Sequence, residues 1–220
     1  KVKTTLMKKT NITRNRLTLL AAAILCCLFA ADAADADALC CCGARPLETT
    51  PFEPLLETHY PAFAHLLHRL GSQQVRNRGT LGGNIANASP IGDTPPVLLA
   101  LNAWVELANQ DGSRALPLSD FFLDYKKTAL AADEVVSRIF IPQLADDAVL
   151  KVWKLSKRRE DDISAVLGAF HYRIDDGVMQ DVRIAFGGMA ATPKRAATSS
   201  ALKPFSSARY LNTSNWSAGC

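Results

Sequence analysis

The segment QVRNRGTLGGNIANASPIGDTPP, residues 74–96, is the most informative stretch of this sequence. From Gly79 to Pro96 the chain is rich in Gly, Asn, Ser and Pro, a composition that predicts a loop. Such a loop suits a phosphate, because glycines let the backbone approach closely, successive amides form an anion-binding nest, and Thr80 and Asn84 add donors. It matches neither the P-loop pattern nor the Rossmann glycine fingerprint. A surface loop with turn glycines is the competing interpretation.

Short helices and antiparallel strands are predicted on either side of this segment. Apolar residues recur at helical spacing over Pro61–Leu70, and Gly71 ends that pattern. Residues 103–107 and 114–118 alternate around Asp111-Gly112, which predicts a hairpin. Further strands are predicted at Val135–Ile141, Leu150–Leu155, Ala165–Arg173 and Val178–Phe186, with a turn at Asp175-Asp176-Gly177 between the last two. The pattern therefore predicts an α+β fold.

Composition and charge narrow the classes of function. The 220 residues are 48% hydrophobic and 21% charged, which is ordinary for a globular protein. The formal net charge of +4 comes from residues 1–16, which carry six basic side chains and no acid. The remainder is close to neutral, so no nucleic-acid surface is expected. The six cysteines show no paired metal-binding spacing, and none lies between Cys42 and Cys220. We therefore expect no metal site and a reducing compartment.

The first 42 residues have the layout of a signal peptide. A basic stretch precedes the apolar run Leu17–Ala30, and Ala31-Asp32-Ala33 offers a small-residue cleavage site. The apolar run is short for a transmembrane helix. The Ala/Asp alternation and the Cys40–Cys42 run that follow fit no packed element. Two interpretations stay open: this segment exports the protein, or it is foreign sequence joined to a truncated domain.

Four motifs resemble a known family. They are residues 74–93 of the segment quoted above, FFLDYKKT at 121–128, KLSKRREDDI at 154–163 and FGGMA at 186–190. Their order and spacing are similar to those of the molybdopterin dehydrogenase FAD-binding domain of the PCMH type, and most similar to the small subunit of xanthine dehydrogenases. The resemblance covers roughly residues 43–195, so the domain looks truncated.

The resemblance implies a set of FAD contacts. Carried over by position, these fall on Thr80, Leu81, Gly82, Gly83, Asn84, Asp93, Val136 and Lys154, and also on Leu70. The segment from Thr80 to Asn84 would wrap the diphosphate with backbone donors. Asp93 would accept hydrogen bonds from the polar side of the flavin, or would only cap the turn before Pro95. Lys154 would lie near the isoalloxazine and stabilise reduced, anionic flavin, or would be a solvated lysine at a strand end.

Other positions carry weaker implications from the same resemblance. Val136 would be a backbone or packing contact of the cofactor, or a plain core residue of a strand. Leu70 stands where relatives carry an aromatic ring against the flavin, or is a core leucine. The mixed-charge segment 158–162 would border the flavin, or form a solvated turn. Tyr125 and Lys127 would help to shape the same pocket.

The resemblance also divides the chain into four parts. Residues 1–42 are the signal-like or foreign segment, and residues 43–146 are the C-terminal part of the FAD-binding domain. Residues 147–198 begin a domain similar to the CO dehydrogenase flavoprotein C-terminal α/β domain, and residues 199–220 are an unassigned tail. The family's flavin domain normally begins with a strand and a second glycine-containing phosphate loop, which residues 1–42 do not show.

The implied function is the FAD-binding, electron-transfer portion of a xanthine dehydrogenase-like molybdenum hydroxylase of purine catabolism. Electrons from iron–sulfur clusters would pass through FAD to NAD, and no side chain is needed as an acid or base. The expected partners are a molybdopterin-binding large subunit and an iron–sulfur domain or subunit, in the cytoplasm and without stable membrane association. The alternatives are a non-catalytic truncated remnant with weak or no FAD binding, and an exported binding protein.

Overall fold

The computed structural model describes residues 38–42, 47 and 54–196. The signal-like part of the sequence before Ala38 and the predicted tail 199–220 lie outside the described residues. The helices are α1 Pro54–His59, α2 Pro61–His68, α3 Gln73–Arg78, α4 Leu81–Ala86, α5 Thr94–Ala100 and α6 Leu118–Phe121. The strands are β1 Ala38–Cys42, β2 Trp104–Ala108, β3 Ser113–Pro117, β4 Phe122–Asp124, β5 Lys127–Thr128, β6 Val135–Pro142, β7 Ala148–Leu155, β8 Val166–Asp175, β9 Val178–Gly187 and β10 Lys194–Arg195.

The first sheet has the strand order β1-β6-β2-β3, and all of its pairs are antiparallel. Strand β6 alternates so that Ile139 and Ile141 are buried in the core, as its period-two pattern predicts. Strand β1 pairs with β6 along its full length, with Cys40 opposite Phe140. The prediction that the Cys40–Cys42 run fits no packed element is therefore wrong, because β6 supplies its hydrogen-bonding partners.

The second sheet has the order β10-β9-β8-β7 and is also antiparallel. Strands β8 and β9 are joined by the predicted tight turn, in which Asp176 and Gly177 both have positive φ angles of 48° and 77°. Two consecutive residues with positive φ match the right-handed twist of a hairpin, which explains the Asp-Gly pair. The helices and the two sheets confirm the predicted α+β class.

Helix α5 packs on strands β8 and β9 of the second sheet and against α4, and it is buried along its full length. It begins with Thr94 and two prolines, which favour a first helical turn because the first amides need no acceptor within the helix. Its buried side chains join Ile139 of the first sheet and Leu167 of the second in one continuous core. At its far end, Arg195 of β10 donates to the carbonyl of Leu99, which also accepts a hydrogen bond from the amide of Asn102.

His171 of β8 is a buried titratable side chain of the second sheet. Its Nδ1 lies 3.0 Å from the carbonyl oxygen of Asp181, and its Nε2 lies 2.8 Å from Nη2 of Arg183. Burial lowers the pKa of His171, and the positive charge of Arg183 lowers it further. The ring is therefore neutral in the folded chain at neutral pH.

Lowering the pH from 7.5 to 5.5 is expected to reduce the free energy of unfolding. In this window the unfolded chain protonates His171 near its ordinary pKa, while the folded chain keeps it neutral until a lower pH is reached. The effect is at most about 1.4 kcal/mol per pH unit. Urea unfolding at several pH values measures it, and a His171→Asn variant should show a flatter profile, whereas His65→Gln, at an exposed position, should not. An unchanged profile in His171→Asn would contradict this assignment.

Candidate functional site

The predicted phosphate-binding stretch contains a short helix. Thr80 is the N-cap of α4, its Oγ1 accepts a hydrogen bond from the amide of Gly83 at 2.9 Å, and its carbonyl accepts one from the amide of Asn84. The prediction of a loop over Gly79–Pro96 is wrong for α4 and for the start of α5. The reason is that a threonine cap satisfies the first helical amides even where glycines follow.

Gly83 marks the open side of this helix turn. Leu81 and Ile85 are fully buried and direct α4 towards the core beside β6, whereas Gly83 is exposed. A Cβ atom at Gly83 would lie 2.9 Å from Oγ1 of Thr80, so a larger residue would push on the cap. The turn thus presents bare backbone to the outside, which is the geometry that lets a phosphate approach amide groups.

A side-chain hydrogen bond connects this turn to the next predicted site residue. Oγ1 of Thr94 donates to Oδ1 of Asn84 at 2.7 Å, which orients the carboxamide and ties the end of α4's first turn to the start of α5. Asp93 immediately precedes Thr94. The structure therefore brings the segment from Thr80 to Asn84 and Asp93 into one connected region.

Asp93 is a buried carboxylate, and both of its oxygens are occupied. Oδ2 accepts a hydrogen bond from Nζ of Lys154 at 2.7 Å, and Oδ1 accepts one from Oγ of Ser164 at 2.5 Å. The residue stands at the N-cap position of α5, yet its side chain makes no capping hydrogen bond there. The alternative role as a cap before Pro95 is wrong, because the carboxylate faces β7 instead.

Lys154 is buried too, with only 5% of its side chain exposed. Its ammonium group donates to Asp93 and also to the carbonyl oxygen of Asp162 at 2.9 Å. The alternative of a solvated lysine at a strand end is wrong. Lys154 also borders a cavity of about 40 Å³ between α2 and β7, whose other lining residues are Ala62, His65, Leu66, Arg69 and Val152.

The segment 157–162 follows Lys154 and is held at several points. Nη2 of Arg69, at the end of α2, donates to the carbonyl of Arg159 at 2.6 Å. The backbone amide of Arg158 donates to Oδ2 of Asp162 at 2.8 Å and lowers the pKa of that carboxyl. The side chains of Arg158 and Arg159 are themselves 74% and 90% exposed. A fixed backbone therefore carries solvated positive charges, as the interpretation of a solvated turn expects, and contact of this segment with the flavin stays a prediction.

The remaining predicted residues lie in ordinary structural positions. Leu70 is buried in the core at the end of α2, and Val136 of β6 is a partly buried residue packed against that core. Tyr125 and Lys127 belong to the exposed β4–β5 hairpin. These four side chains are not part of the hydrogen-bonded cluster that joins α4, Asp93 and Lys154.

Ser164, Arg69 and the contacts of the FGG motif are the site features that the sequence did not predict. Gly187 ends β9 and Gly188 follows it, and both pack on the turn before α5, where the amide of Gly188 donates to the carbonyl of Pro90 at 2.7 Å. A Cβ atom at Gly187 would lie 3.0 Å from Cγ of Pro96. The glycines of this motif permit close backbone contact between the end of β9 and the turn before α5.

Comparison with known proteins shows the family. The model of the FAD binding domain in molybdopterin dehydrogenase matches residues 35–144, which is half of the chain, and the model of the CO dehydrogenase flavoprotein C-terminal domain matches residues 151–203. The chain belongs to the molybdopterin dehydrogenase FAD-binding family. FAD is therefore the cofactor of its first domain, and the family is one of oxidoreductases. The first match begins at residue 35, ahead of β1.

Several curated relatives are similar over most of the chain. Nicotinate hydroxylase of Emericella nidulans is 39% identical over 67% of this chain, and xanthine dehydrogenase of Blastobotrys adeninivorans is 35% identical over 62%. Glyceraldehyde dehydrogenase medium chain of Sulfolobus acidocaldarius is 35% identical over 64%. The aligned part of the chain spans 11%, 10% and 50% of these proteins, respectively.

A solved structure shares the fold of this flavoprotein. Carbon monoxide dehydrogenase from Hydrogenophaga pseudoflava superposes with a TM-score of 0.70 and 30% identity, covering 73% of this chain and 56% of that one. Within residues 38–42, 47 and 54–196, no cluster of three or more His, Cys, Asp or Glu side chains is placed to hold a metal. No helix in the same part of the chain is both long and apolar enough to cross a membrane.

The residues present fit a dinucleotide cofactor at the α4 turn. The open position at Gly83 is a cradle that a single Cβ atom would fill, and Thr80 and Asn84 beside it are already fixed by hydrogen bonds. The amides of Gly83 and Asn84 already donate to Thr80, so the backbone of the turn is fixed and loses little conformational entropy when an anion binds. The exposed backbone at Gly83 is the side from which a diphosphate could approach.

Proposed function

We propose that this chain is the FAD-binding, electron-transfer part of a xanthine dehydrogenase-like molybdenum hydroxylase that delivers electrons to NAD. The observation that carries the proposal is the hydrogen-bonded path from the α4 turn through Asn84 and Thr94 to Asp93 and Lys154. This path joins the parts of the chain that match the two flavoprotein family models. Since the chain spans only part of its relatives, the activity of the whole enzyme belongs to this proposal.

Each group of residues has a role in the proposed site. The backbone from Thr80 to Asn84 would hold the diphosphate, and Lys154 would lie near the isoalloxazine with Asp93 beside it. Val136 and Leu70 would contribute packing only, as their places in the core suggest. When bound, FAD supplies redox chemistry that connects electron carriers to a hydride acceptor such as NAD. The protein's part is to bind, to orient and to set the charge around the cofactor.

The proposed partners follow from the same assignment. They are a molybdopterin-binding large subunit and an iron–sulfur domain or subunit, and the xanthine-type substrate would bind on the former. A relative named as a medium chain supports a separate flavoprotein subunit. The stretch without cysteine between Cys42 and Cys220 favours a cytoplasmic location. Co-purification with the two partners from a soluble cytoplasmic fraction would support both proposals, and recovery of the chain only from the exported fraction would contradict them.

The experiment that tests the function uses the purified chain with added FAD. After removal of free cofactor, we expect one FAD per chain, seen as absorbance near ~450 nm from the cofactor's own electronics. Anaerobic reduction followed by addition of NAD should restore the oxidised spectrum, whereas buffer alone should not. Reoxidation that is no faster with NAD than with buffer would contradict NAD as the acceptor.

The competing function is a non-catalytic remnant. A correctly folded chain that stays colourless after FAD is added would favour it. Circular dichroism on the same sample separates this outcome from a failure to fold, because both sheets should still give their signal.

A further inference from the structure

Asp93 and Lys154 form an ion pair that water hardly reaches. Their side chains are 7% and 5% exposed, and the carboxylate and ammonium lie 2.7 Å apart. Removing two charges from water costs several kcal/mol per ion, and mutual attraction offsets this only when the remaining hydrogen bonds are also made. A pair buried this deeply is therefore weak evidence for stability. It indicates instead that the two charged groups are held in fixed positions.

The additional hydrogen bonds of the pair are present. Oγ of Ser164, which is 3% exposed, donates to the second oxygen of Asp93, and Lys154 donates to the carbonyl of Asp162. The four residues come from three segments: the turn before α5, strand β7, and the connection from β7 to β8. The cluster thus joins the helical layer to the second sheet. We call Asp93, Lys154, Ser164 and Asp162 the junction.

The junction fixes the segment 157–162 at its far end. Lys154 holds the carbonyl of Asp162, and Arg69 holds the carbonyl of Arg159 from the end of α2. Both anchoring groups border the cavity between α2 and β7. The exposed side chains of Arg158 and Arg159 therefore stand on a backbone whose position depends on the buried pair of Asp93 and Lys154.

We propose that Asp93 and Ser164 are positioning residues that fix the ammonium of Lys154, cancel its charge and hold the segment 157–162 in place. In this role Asp93 acts on the cofactor through Lys154 and needs no flavin contact of its own. The inference about the segment stands on the chain alone. The inference about charge rests on the proposed FAD site.

The segment is tested in the chain without FAD by limited digestion with trypsin, read by mass spectrometry. In Ser164→Ala and Lys154→Met, cleavage after Lys157, Arg158 and Arg159 should be at least about tenfold faster than in the unaltered chain, as expected when an opening equilibrium loses about 1.4 kcal/mol. Cleavage in the exposed β4–β5 hairpin, at Lys126 and Lys127, should be unchanged and serves as the internal reference.

Two further variants complete the digestion experiment. Lys151→Met removes an exposed charge from the same strand and should be cut like the unaltered chain. Ser164→Thr keeps a hydroxyl and should restore most of the resistance lost in Ser164→Ala. If Lys154→Met does not fold, Ser164→Ala still decides, because it keeps both charges. Unaltered cleavage in a folded Ser164→Ala would overturn the positioning role.

The proposal that Asp93 cancels the charge of Lys154 is tested by measuring the midpoint potential of bound flavin. Lys154→Met leaves an uncompensated negative charge and should lower the potential, whereas Asp93→Asn leaves a positive charge and should raise it, because a cation stabilises reduced, anionic flavin. The double variant is neutral again and should return to the original value. Shifts of the same sign in both single variants would overturn charge cancellation. A chain that binds no FAD would instead overturn the proposed function, while the digestion result would still stand.

Discussion

Replacing Gly188 by alanine is expected to destabilise the chain by about 3 kcal/mol. The added Cβ atom has two effects, which are backbone strain and a steric clash. Gly188 has a φ angle of +84°, in the region that side chains disfavour. A Cβ atom there would also collide with the carbonyl oxygen of Ala165, at the entry to β8. Urea unfolding followed by circular dichroism measures the loss, and the slope with denaturant should stay the same.

Gly177 provides the matched control for this prediction. It has nearly the same φ, +77°, but no atom lies within 4 Å of a Cβ added to it. Gly177→Ala should therefore cost only about 1 kcal/mol, the backbone contribution alone. Equal losses in the two variants would show that the close approach between Gly188 and Ala165 has no energetic importance.

Replacing Gly83 by valine is expected to weaken FAD binding by at least about a hundredfold, which corresponds to about 2.7 kcal/mol. The first carbon of the new side chain would lie 2.9 Å from Oγ1 of Thr80 and would occupy the open face of the α4 turn. The new side chain would disturb the hydrogen bond by which Thr80 caps α4, and it would block the approach of the diphosphate. Equilibrium titration followed by flavin fluorescence measures the affinity.

Control variants distinguish this effect from a general loss of structure. Gly112→Val lies in the exposed β2–β3 turn, where a Cβ atom would meet nothing within 4 Å, and should leave FAD binding unchanged. Gly83→Ala should fall between the unaltered chain and Gly83→Val. If all three variants bind FAD alike, the α4 turn has no part in holding the cofactor.

Local patterns were sufficient to predict most of the strands. The alternation in Val135–Pro142 and the Asp-Gly pairs at 111–112 and 176–177 carry their information within a few residues, and the structure has a strand or a turn at each. Such signals depend on the side-chain period and, at Asp176-Gly177, on positive φ, which a short stretch of sequence records directly.

Elements that depend on distant partners were missed. Strand β1 is a run that contains three cysteines, and it is a strand because β6, almost one hundred residues later, pairs with it. The ion pair of Asp93 and Lys154 spans 61 positions, and no local pattern indicated that these two residues pair with each other. Ser164 lies outside every motif in the sequence, and only the structure shows that its hydroxyl donates to Asp93.

Helix α4 shows a different kind of failure. The glycines at positions 82 and 83 lower helix propensity, and composition alone predicted a loop. The signal that could have corrected this was also present: Thr80 as a cap, followed by Leu81 and Ile85 four residues apart on a buried face. Burial of that face outweighs the cost of two glycines.

The most direct test of the central claim, that the turn from Thr80 to Asn84 holds the diphosphate of FAD, compares FAD with riboflavin, which has the same ring system but neither the diphosphate nor the adenosine. Titrations of the unaltered chain should show FAD binding at least about a hundredfold more tightly than riboflavin, a difference of about 2.7 kcal/mol that includes the phosphate contacts. In Gly83→Val the affinity for FAD should fall by about a hundredfold, while the affinity for riboflavin should stay unchanged. Equal affinity for the two ligands in the unaltered chain, or an undiminished preference for FAD in Gly83→Val, would contradict the claim.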